Sequence, residues 1–210
     1  MNFIETYSGI KFYPIAPDVN KINIIDIAHS LSHLSRFNGH GKHFYSVAQH
    51  SINCMREAER LGYSNRVKLI ALFHDASEAY LSDLVTPVKR NIPQYKEIEN
   101  VLMYKIWEFI GIIPTIEQFR LVDDIDKAVL KLEAKSMMTC NHWDLSDNYL
   151  DEKSINHIDL TEKPFLYFKN MFLSFALELL STSKNNSLAT EQIDFYYKKG
   201  IIERFVSYSE

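Results

Sequence analysis

Four residues that cap helix N-termini well, Asn23, Ser46, Ser64 and Thr115, each stand directly ahead of an apolar pattern of helical period. That arrangement leaves room for little except a helical bundle. Asn23 opens a helix expected to run to about Phe37, with Ile24, Ile27, Ala28, Leu31 and Leu34 along one face, before Gly39 and Gly41. Ser46-Val-Ala-Gln49 is a capping-box pattern for a helix reaching Leu61 and stopping at Gly62. Ser64 caps the next, which turns Val67, Ile70, Ala71 and Phe73 inward and is expected to end near Tyr80. A further helix is predicted from about Pro93 to Ile110, and Thr115-Ile-Glu-Gln118 caps one that continues past Met138. Residues 164–181 and roughly 188–207 supply two closing helices. Only residues 3–12 read differently, as a short hairpin turning near Ser8-Gly9, with Pro14 and Pro17 breaking regular structure behind it. Six glycines and six prolines in 210 residues suit long elements rather than many short strands. The expected fold is all-α, about six to seven helices with a short N-terminal β-hairpin.

The chemistry concentrates where a helix that wants to be buried carries charge. Leu69-Ile70-Ala71-Leu72-Phe73 is continuously apolar, and His74-Asp75 follows it directly. An isolated His-Asp is ordinarily a surface pair or an Asp–His hydrogen bond. Burying a carboxylate beside an imidazole costs free energy that a divalent cation offsets well. The neighbouring segments strengthen the cation reading. His50 sits in an early turn of the preceding helix, and Asp126 lies in Val122-Asp-Asp-Ile-Asp126, ahead of Val129, Leu130 and Leu132. Three helices can then aim two imidazoles and two carboxylates at one point, although Asp123 and Asp124 compete with Asp126. A mixed nitrogen and oxygen set suits manganese, cobalt, nickel, iron or zinc better than calcium. Four protein ligands on a six-coordinate ion leave two positions for water and a phosphate oxygen.

The order His50, His74-Asp75, Asp126 resembles the H…HD…D signature of the HD-domain superfamily of phosphohydrolases. The surrounding text is similar to the YfbR-like 5′-deoxynucleotidases and the related phage deoxynucleotide triphosphohydrolases. It comprises Arg36-Phe37, Tyr45-Ser-Val-Ala-Gln-His50-Ser, His74-Asp-Ala-Ser-Glu78-Ala, Asp83-Leu-Val-Thr86-Pro-Val-Lys89 and Val122-x-x-x-Asp126-x-x-x-Leu130-x-x-Glu133. The resemblance implies a single HD-type domain over 1–210. Within it, 1–22 form a hairpin extension, 24–138 the motif-bearing core, 141–163 an acidic loop or lid, and 164–210 closing helices. It makes His50, His74, Asp75 and Asp126 the ligands of one divalent transition metal ion, its spacing to Leu130 and Glu133 favouring Asp126. Glu78 becomes the acid/base that handles the water proton, Asp83 a group near the leaving group, and Arg36 a phosphate or nucleotide contact. Phe37 stands where relatives often carry tryptophan, so base or sugar selectivity can differ. No histidine occurs from 76 to 141, which favours one metal over the two-metal and cyclic-nucleotide enzymes of the superfamily.

Other candidates carry less. Lys89, with Arg90 and Lys96, is a reasonable phosphate clamp, and Thr86 stands in the same segment as a substrate contact. His29 and His33 are four apart, a chelating spacing that more often marks a polar helix face. His40 and His43 flank the loop before the metal helix. Trp107 and Phe109 read as core, and Trp143 opens the acidic stretch.

Charge and cysteine usage narrow the class further. The formal charge is −4, so no global basic field exists to draw nucleic acid polymers. The whole excess lies in 141–163, with six acids against two lysines. No run of 18 apolar residues suggests a membrane span, and no N-terminal signal pattern appears. Cys54 and Cys140 form neither a CxxC pair nor a disulfide framework, consistent with a cytoplasmic location. The expected partner is a small nucleotide, with neither nucleic acid polymer nor membrane, and a homo-oligomer, dimer or higher, is left open. The expected activity is hydrolysis of (deoxy)nucleoside 5′-phosphates, by nucleotidase or triphosphohydrolase chemistry. Two rivals stand beside it: a catalytically silent nucleotide-binding regulator, and an alarmone or cyclic-nucleotide phosphohydrolase.

Overall fold

A computed structural model describes residues 2–139, 157–182 and 187–202. It is all-α apart from one antiparallel ribbon, β1 (Ile4–Glu5) with β2 (Lys11–Phe12), which turns at Gly9. Among the described residues seven helices have nine residues or more. They are α1 (Ile24–His33), α2 (Val47–Arg60), α3 (Asn65–Phe73), α6 (Pro93–Ile110), α7 (Ile116–Met137), α8 (Phe165–Thr182) and α9 (Leu188–Lys198). Two single turns, α4 (Glu78–Leu81) and α5 (Thr86–Lys89), lie between α3 and α6.

The caps explain the starts. The side chains of Asn23, Ser46 and Ser64 accept from the backbone N–H of Ile25, Gln49 and Val67. Thr115 and Gln118 form the reciprocal capping box at the head of α7. Gly111 ends α6 in the left-handed region, φ 79°, where a Cβ would meet the Ser187 Cβ at 2.7 Å. Glycine is therefore required there by conformation and by space.

Helix α2 is the axis of the molecule. Only Arg56, Glu59 and Arg60 escape burial along it, and α1, α3, α7 and α8 pack around it. Phe73, the last residue of α3, meets Phe172 of α8 edge-on at 5.1 Å, which fixes the point where His74 leaves the helix. The ribbon supports the same region. Ser8 donates from its backbone and its hydroxyl to Asp26, both at 2.7 Å, and Phe12 stacks on Tyr80 of α4 at 4.1 Å.

Four helices end earlier than the apolar pattern implies. Helix α7 closes at Met137 rather than past Met138, with Met138 extended and the Met137 carbonyl accepting from Lys42 N–H at 2.9 Å. Helix α9 closes at Lys198 rather than near 207, ahead of left-handed Gly200 at φ 69°. Helix α1 stops at His33 rather than near Phe37. Leu34 is already extended, and Arg36–Gly39 forms a 3-10 turn with Phe37 and Asn38 left-handed at φ 54° and 51°. Two such non-glycine residues in succession are costly. The pairing of Arg36 N–H with Tyr45 O (2.8 Å) and the Ser35–Ser46 bridge hold the turn in place. Helix α3 stops at Phe73 rather than near Tyr80, because the His74 Nδ1–H donates to Ala71 O at 2.8 Å and satisfies one of the carbonyls orphaned at the helix end. Tight turns, Ala76 N to Phe73 O and Glu78 N to Asp75 O, then carry the chain into α4.

Of the acidic stretch, residues 141–156, Trp143 among them, lie outside the described residues, as does Cys140. Its end is packed: Ile158 is buried, and the Asp159 carbonyl accepts from Gln49 and Asn53 of α2.

The ribbon also sets a pH response. Tyr7 stacks on His29 at 3.7 Å, His33 lies 4.2 Å away, and Lys169 covers Tyr7. Burial, with the charges of His33 and Lys169, pushes the His29 imidazole down to about 4. Between that value and the ordinary 6.5 the unfolded chain binds more protons than the folded one, so stability falls as pH drops through this window and is level above it. In urea titrations at pH 7 and pH 4.5, His29→Phe should lose less stability on acidification than the unmodified protein.

Candidate metal centre

His50 projects from the first turn of α2, His74 from the end of α3, and Asp126 from the middle of α7. The His50 Nε2 lies 3.3 Å from the His74 Nε2 and 3.0 Å from the Asp126 Oδ1. Each imidazole has its other nitrogen committed. His50 Nδ1–H donates to Glu133 Oε1 at 2.7 Å, and His74 Nδ1–H donates to Ala71 O. In neutral imidazoles this fixes both tautomers and leaves two Nε2 lone pairs facing one another. Lone pairs at that separation repel unless a cation or a proton lies between them, and two carboxylates stand ready to balance a cation. The donor set thus fits a divalent transition metal on the chemistry of its own atoms.

Asp75 completes the cluster on one side. Its Oδ2 is 3.2 Å from His74 Nε2, 3.7 Å from His50 Nε2 and 3.7 Å from the Arg36 guanidinium. Burial works against the ionised form, yet His74, His50 and Arg36 hold the Asp75 carboxyl far below the usual range. Asp126 is likewise held low against burial by the hydrogen bond to His50. The competing carboxylates are engaged otherwise: Asp123, on the wall of the neighbouring cleft, pairs with Lys127, and Asp124 is exposed.

Beneath the cluster Glu133 is fully buried and satisfied on both oxygens. Oε1 accepts from His50 and from Tyr45 Oη (2.7 Å), and Oε2 accepts from Arg36 Nε (3.1 Å). Burial opposes its ionisation, but Arg36, His50 and Tyr45 together keep it charged. One carboxylate therefore orients a candidate ligand and a candidate phosphate contact.

Glu78, at the start of α4, is 5% exposed, and its Oε2 has no hydrogen-bond partner among the described residues. Burial, with the negative charges of Asp75 and Asp83, pushes its carboxyl well above the glutamate range and makes it a stronger proton acceptor. Burial also raises Asp83. Phe37 lies under the Arg36 guanidinium at 5.7 Å. Lys89 is engaged with Glu99 at 2.5 Å and lines a cleft that opens onto His74 and Asp75. Thr86 is exposed and is not part of the cleft lining.

Reading the sequence missed Cys54. It follows His50 by one turn, and its Sγ is 3.5 Å from His50 Nε2, so that sulfur, His50, His74 and Asp126 offer donor atoms within 4.8 Å of one another. Burial pushes its thiol up to about 11, protonated at neutral pH while no cation competes for the sulfur. The signal was present as a His-x-x-x-Cys spacing on a buried face, hidden because a lone buried cysteine usually only fills space. Among the described residues this is the one grouping of three or more metal-binding side chains. His29 stacks on Tyr7, His33 packs tilted against Phe165, His43 bonds Leu160 O, and His40 is exposed. Trp107 and Phe109 are core.

Fold and cluster define an all-α protein with a buried histidine–aspartate centre able to hold a metal ion. The chain belongs to the same family as the uncharacterized protein RCAP_rcc00048 of Rhodobacter capsulatus. The two are 34% identical over 137 residues, 62% of this chain and 70% of that protein. It is also 42% identical to the uncharacterized protein YfdR of Escherichia coli K12 over 116 residues, 55% of this chain and 62% of YfdR, and so spans less than two thirds of that relative. A shorter stretch of 68 residues is 41% identical to the 5′-deoxynucleotidase plu3092 of Photorhabdus laumondii, 29% of this chain and 33% of that protein. No family model matches the chain.

Proposed function

We propose that this chain is a metal-dependent phosphohydrolase of the HD type that cleaves (deoxy)nucleoside 5′-phosphates. The observation that carries the reading is the pair of Nε2 atoms 3.3 Å apart, flanked by Asp75 and Asp126, with the buried Glu78 Oε2, which has no hydrogen-bond partner among the described residues, as a free proton acceptor. The partial identity to a protein named as a 5′-deoxynucleotidase supports it.

His50, His74, Asp75 and Asp126 would hold one divalent ion, of cobalt, manganese, zinc, nickel or iron. When bound, such an ion supplies a lowered pKa for its water and neutralises charge on the phosphate. Glu133 and the Ala71 carbonyl keep the two imidazoles turned with Nε2 forward. Glu78 takes the proton of the attacking water, and burial keeps other water from competing for it. Arg36, held in place by Glu133, offsets negative charge that builds on the phosphoryl oxygens. Asp83 positions the leaving oxygen. Cleavage of a monophosphate yields nucleoside and phosphate, whereas attack at the α-phosphorus of a triphosphate yields nucleoside and tripolyphosphate.

The test is a panel of mono-, di- and triphosphate nucleotides with each metal, measuring phosphate and tripolyphosphate, alongside elemental analysis. About one ion per chain and turnover of at least one nucleotide are expected. Two tightly held ions would overturn the mononuclear site, and binding without turnover would overturn the enzyme reading.

A further inference from the structure

A cleft of about 420 Å³ opens off the cluster and runs between α6 and the first turns of α7, with His74, Asp75 and Asp126 at one end. Away from that end it is not built for phosphate, since its lysine, Lys89, is already paired with Glu99. The walls are aromatic and apolar: Met103, Tyr104 and Trp107 from α6, Phe119 and Val122 from α7. Trp107 and Phe119 meet edge to face at 6.2 Å. Phe119 and Tyr104 keep 47% and 57% of their surfaces exposed. Aromatic surface left open inside a concave site is the usual mark of a ligand wall.

Polar side chains interrupt this lining as well, namely Ser77, Lys89, Glu99, Asp123 and Asn100. Lys89 is paired with Glu99 and Asp123 with Lys127, which leaves the Asn100 amide open to a ligand. Asn100, one turn before Tyr104 on the same face of α6, is exposed, and its amide makes no hydrogen bond to the described residues. It offers an acceptor and two donors in one plane. An aromatic wall with an amide at its edge is the chemistry that recognises a nucleobase, which presents a π face and a rim of donors and acceptors. An alkyl chain would leave the amide without a purpose. The scale agrees too. Phe119 precedes Asp126 by seven residues on α7, about 10 Å along the axis at 1.5 Å per residue. That is comparable to the reach of a nucleotide from phosphorus to base.

On the reading of the cluster as a nucleotide phosphohydrolase site, we propose that this cleft is its nucleobase subsite. Tyr104 and Phe119 flank the base and Asn100 hydrogen-bonds its edge.

The 210-residue chain carrying Trp143→Phe leaves Trp107 as its sole tryptophan, so its emission reports on the cleft. Nucleosides without phosphate should quench it saturably, and inorganic phosphate should not. In steady-state assays Phe119→Ala should raise KM for the hydrolysed nucleotide by about tenfold or more with kcat nearly retained. Asn100→Ala should raise KM and reorder the preference among the four bases. Both positions are exposed, so folding is preserved, as circular dichroism will verify. Absence of nucleoside quenching, together with unchanged KM in both variants for a nucleotide the wild type does cleave, would overturn the subsite. Quenching by nucleosides in a protein that cleaves no nucleotide would uphold the subsite and reject the reaction, so the two ideas fail separately.

Discussion

Glu78→Gln should bind its metal and its nucleotide with near-normal affinity and hydrolyse that nucleotide at least about a hundredfold more slowly. The expectation rests on where the carboxylate sits. Glu78 is buried within reach of the Asp75 charge, lies outside the grouping of His50, Cys54, His74 and Asp126, and its Oε2 has no hydrogen-bond partner among the described residues. Glutamine preserves volume and hydrogen-bonding reach and cannot take a proton. If Glu78 served only to brace a ligand, metal affinity would fall along with rate. Titration of cobalt and of nucleotide against the variant separates the two, and normal turnover would remove Glu78 from the mechanism.

Asp126→Ala should lose metal and activity together, whereas Asp123→Ala and Asp124→Ala should keep most of both. The three acids sit within four residues, but their surroundings differ. Asp126 Oδ1 faces His50 Nε2 at 3.0 Å, Asp123 is taken by Lys127, and Asp124 faces solvent. On the proposed ligand set, removing Asp126 would leave two imidazoles and one carboxylate to hold the ion. Elemental analysis after dialysis, paired with the nucleotide assay, reads both effects. Metal deficiency in Asp124→Ala, with retention in Asp126→Ala, would contradict this assignment.

Much of the architecture was legible because it is written locally. Caps at Asn23, Ser46, Ser64 and Thr115, and stops at Gly62 and Gly111, act over three or four residues and need no knowledge of the rest of the chain. The early end of α3 was not legible, since the apolar period runs on to Tyr80 and the break comes from the imidazole of His74 bonding back to Ala71. The end of α1 was hidden likewise, in pairing between Arg36 and Tyr45. In the candidate site, His74-Asp75 stood out as charge ending a continuously apolar run, whereas His50 and the choice of Asp126 over Asp123 and Asp124 rested on the resemblance to the HD signature. Glu133 could be quoted in a motif but not given a task, because its partners lie in distant segments. The cleft wall was invisible for the same reason: Phe119 and Asn100 acquire meaning only when α6 and α7 line one cleft.

The placement of the cluster on α2, α3 and α7 ties it to the assembly of the chain itself. These helices pack on one another at the centre of the molecule, so a metal held there clamps segments that are far apart in sequence. An ion that binds the folded chain and not the unfolded one adds about 1.4 kcal/mol of stability for each tenfold excess over its dissociation constant. Melting temperature should therefore rank the candidate metals by affinity, with no substrate needed. A chelator should bring every sample back to one common melting point, that of a fold whose central helices are no longer clamped.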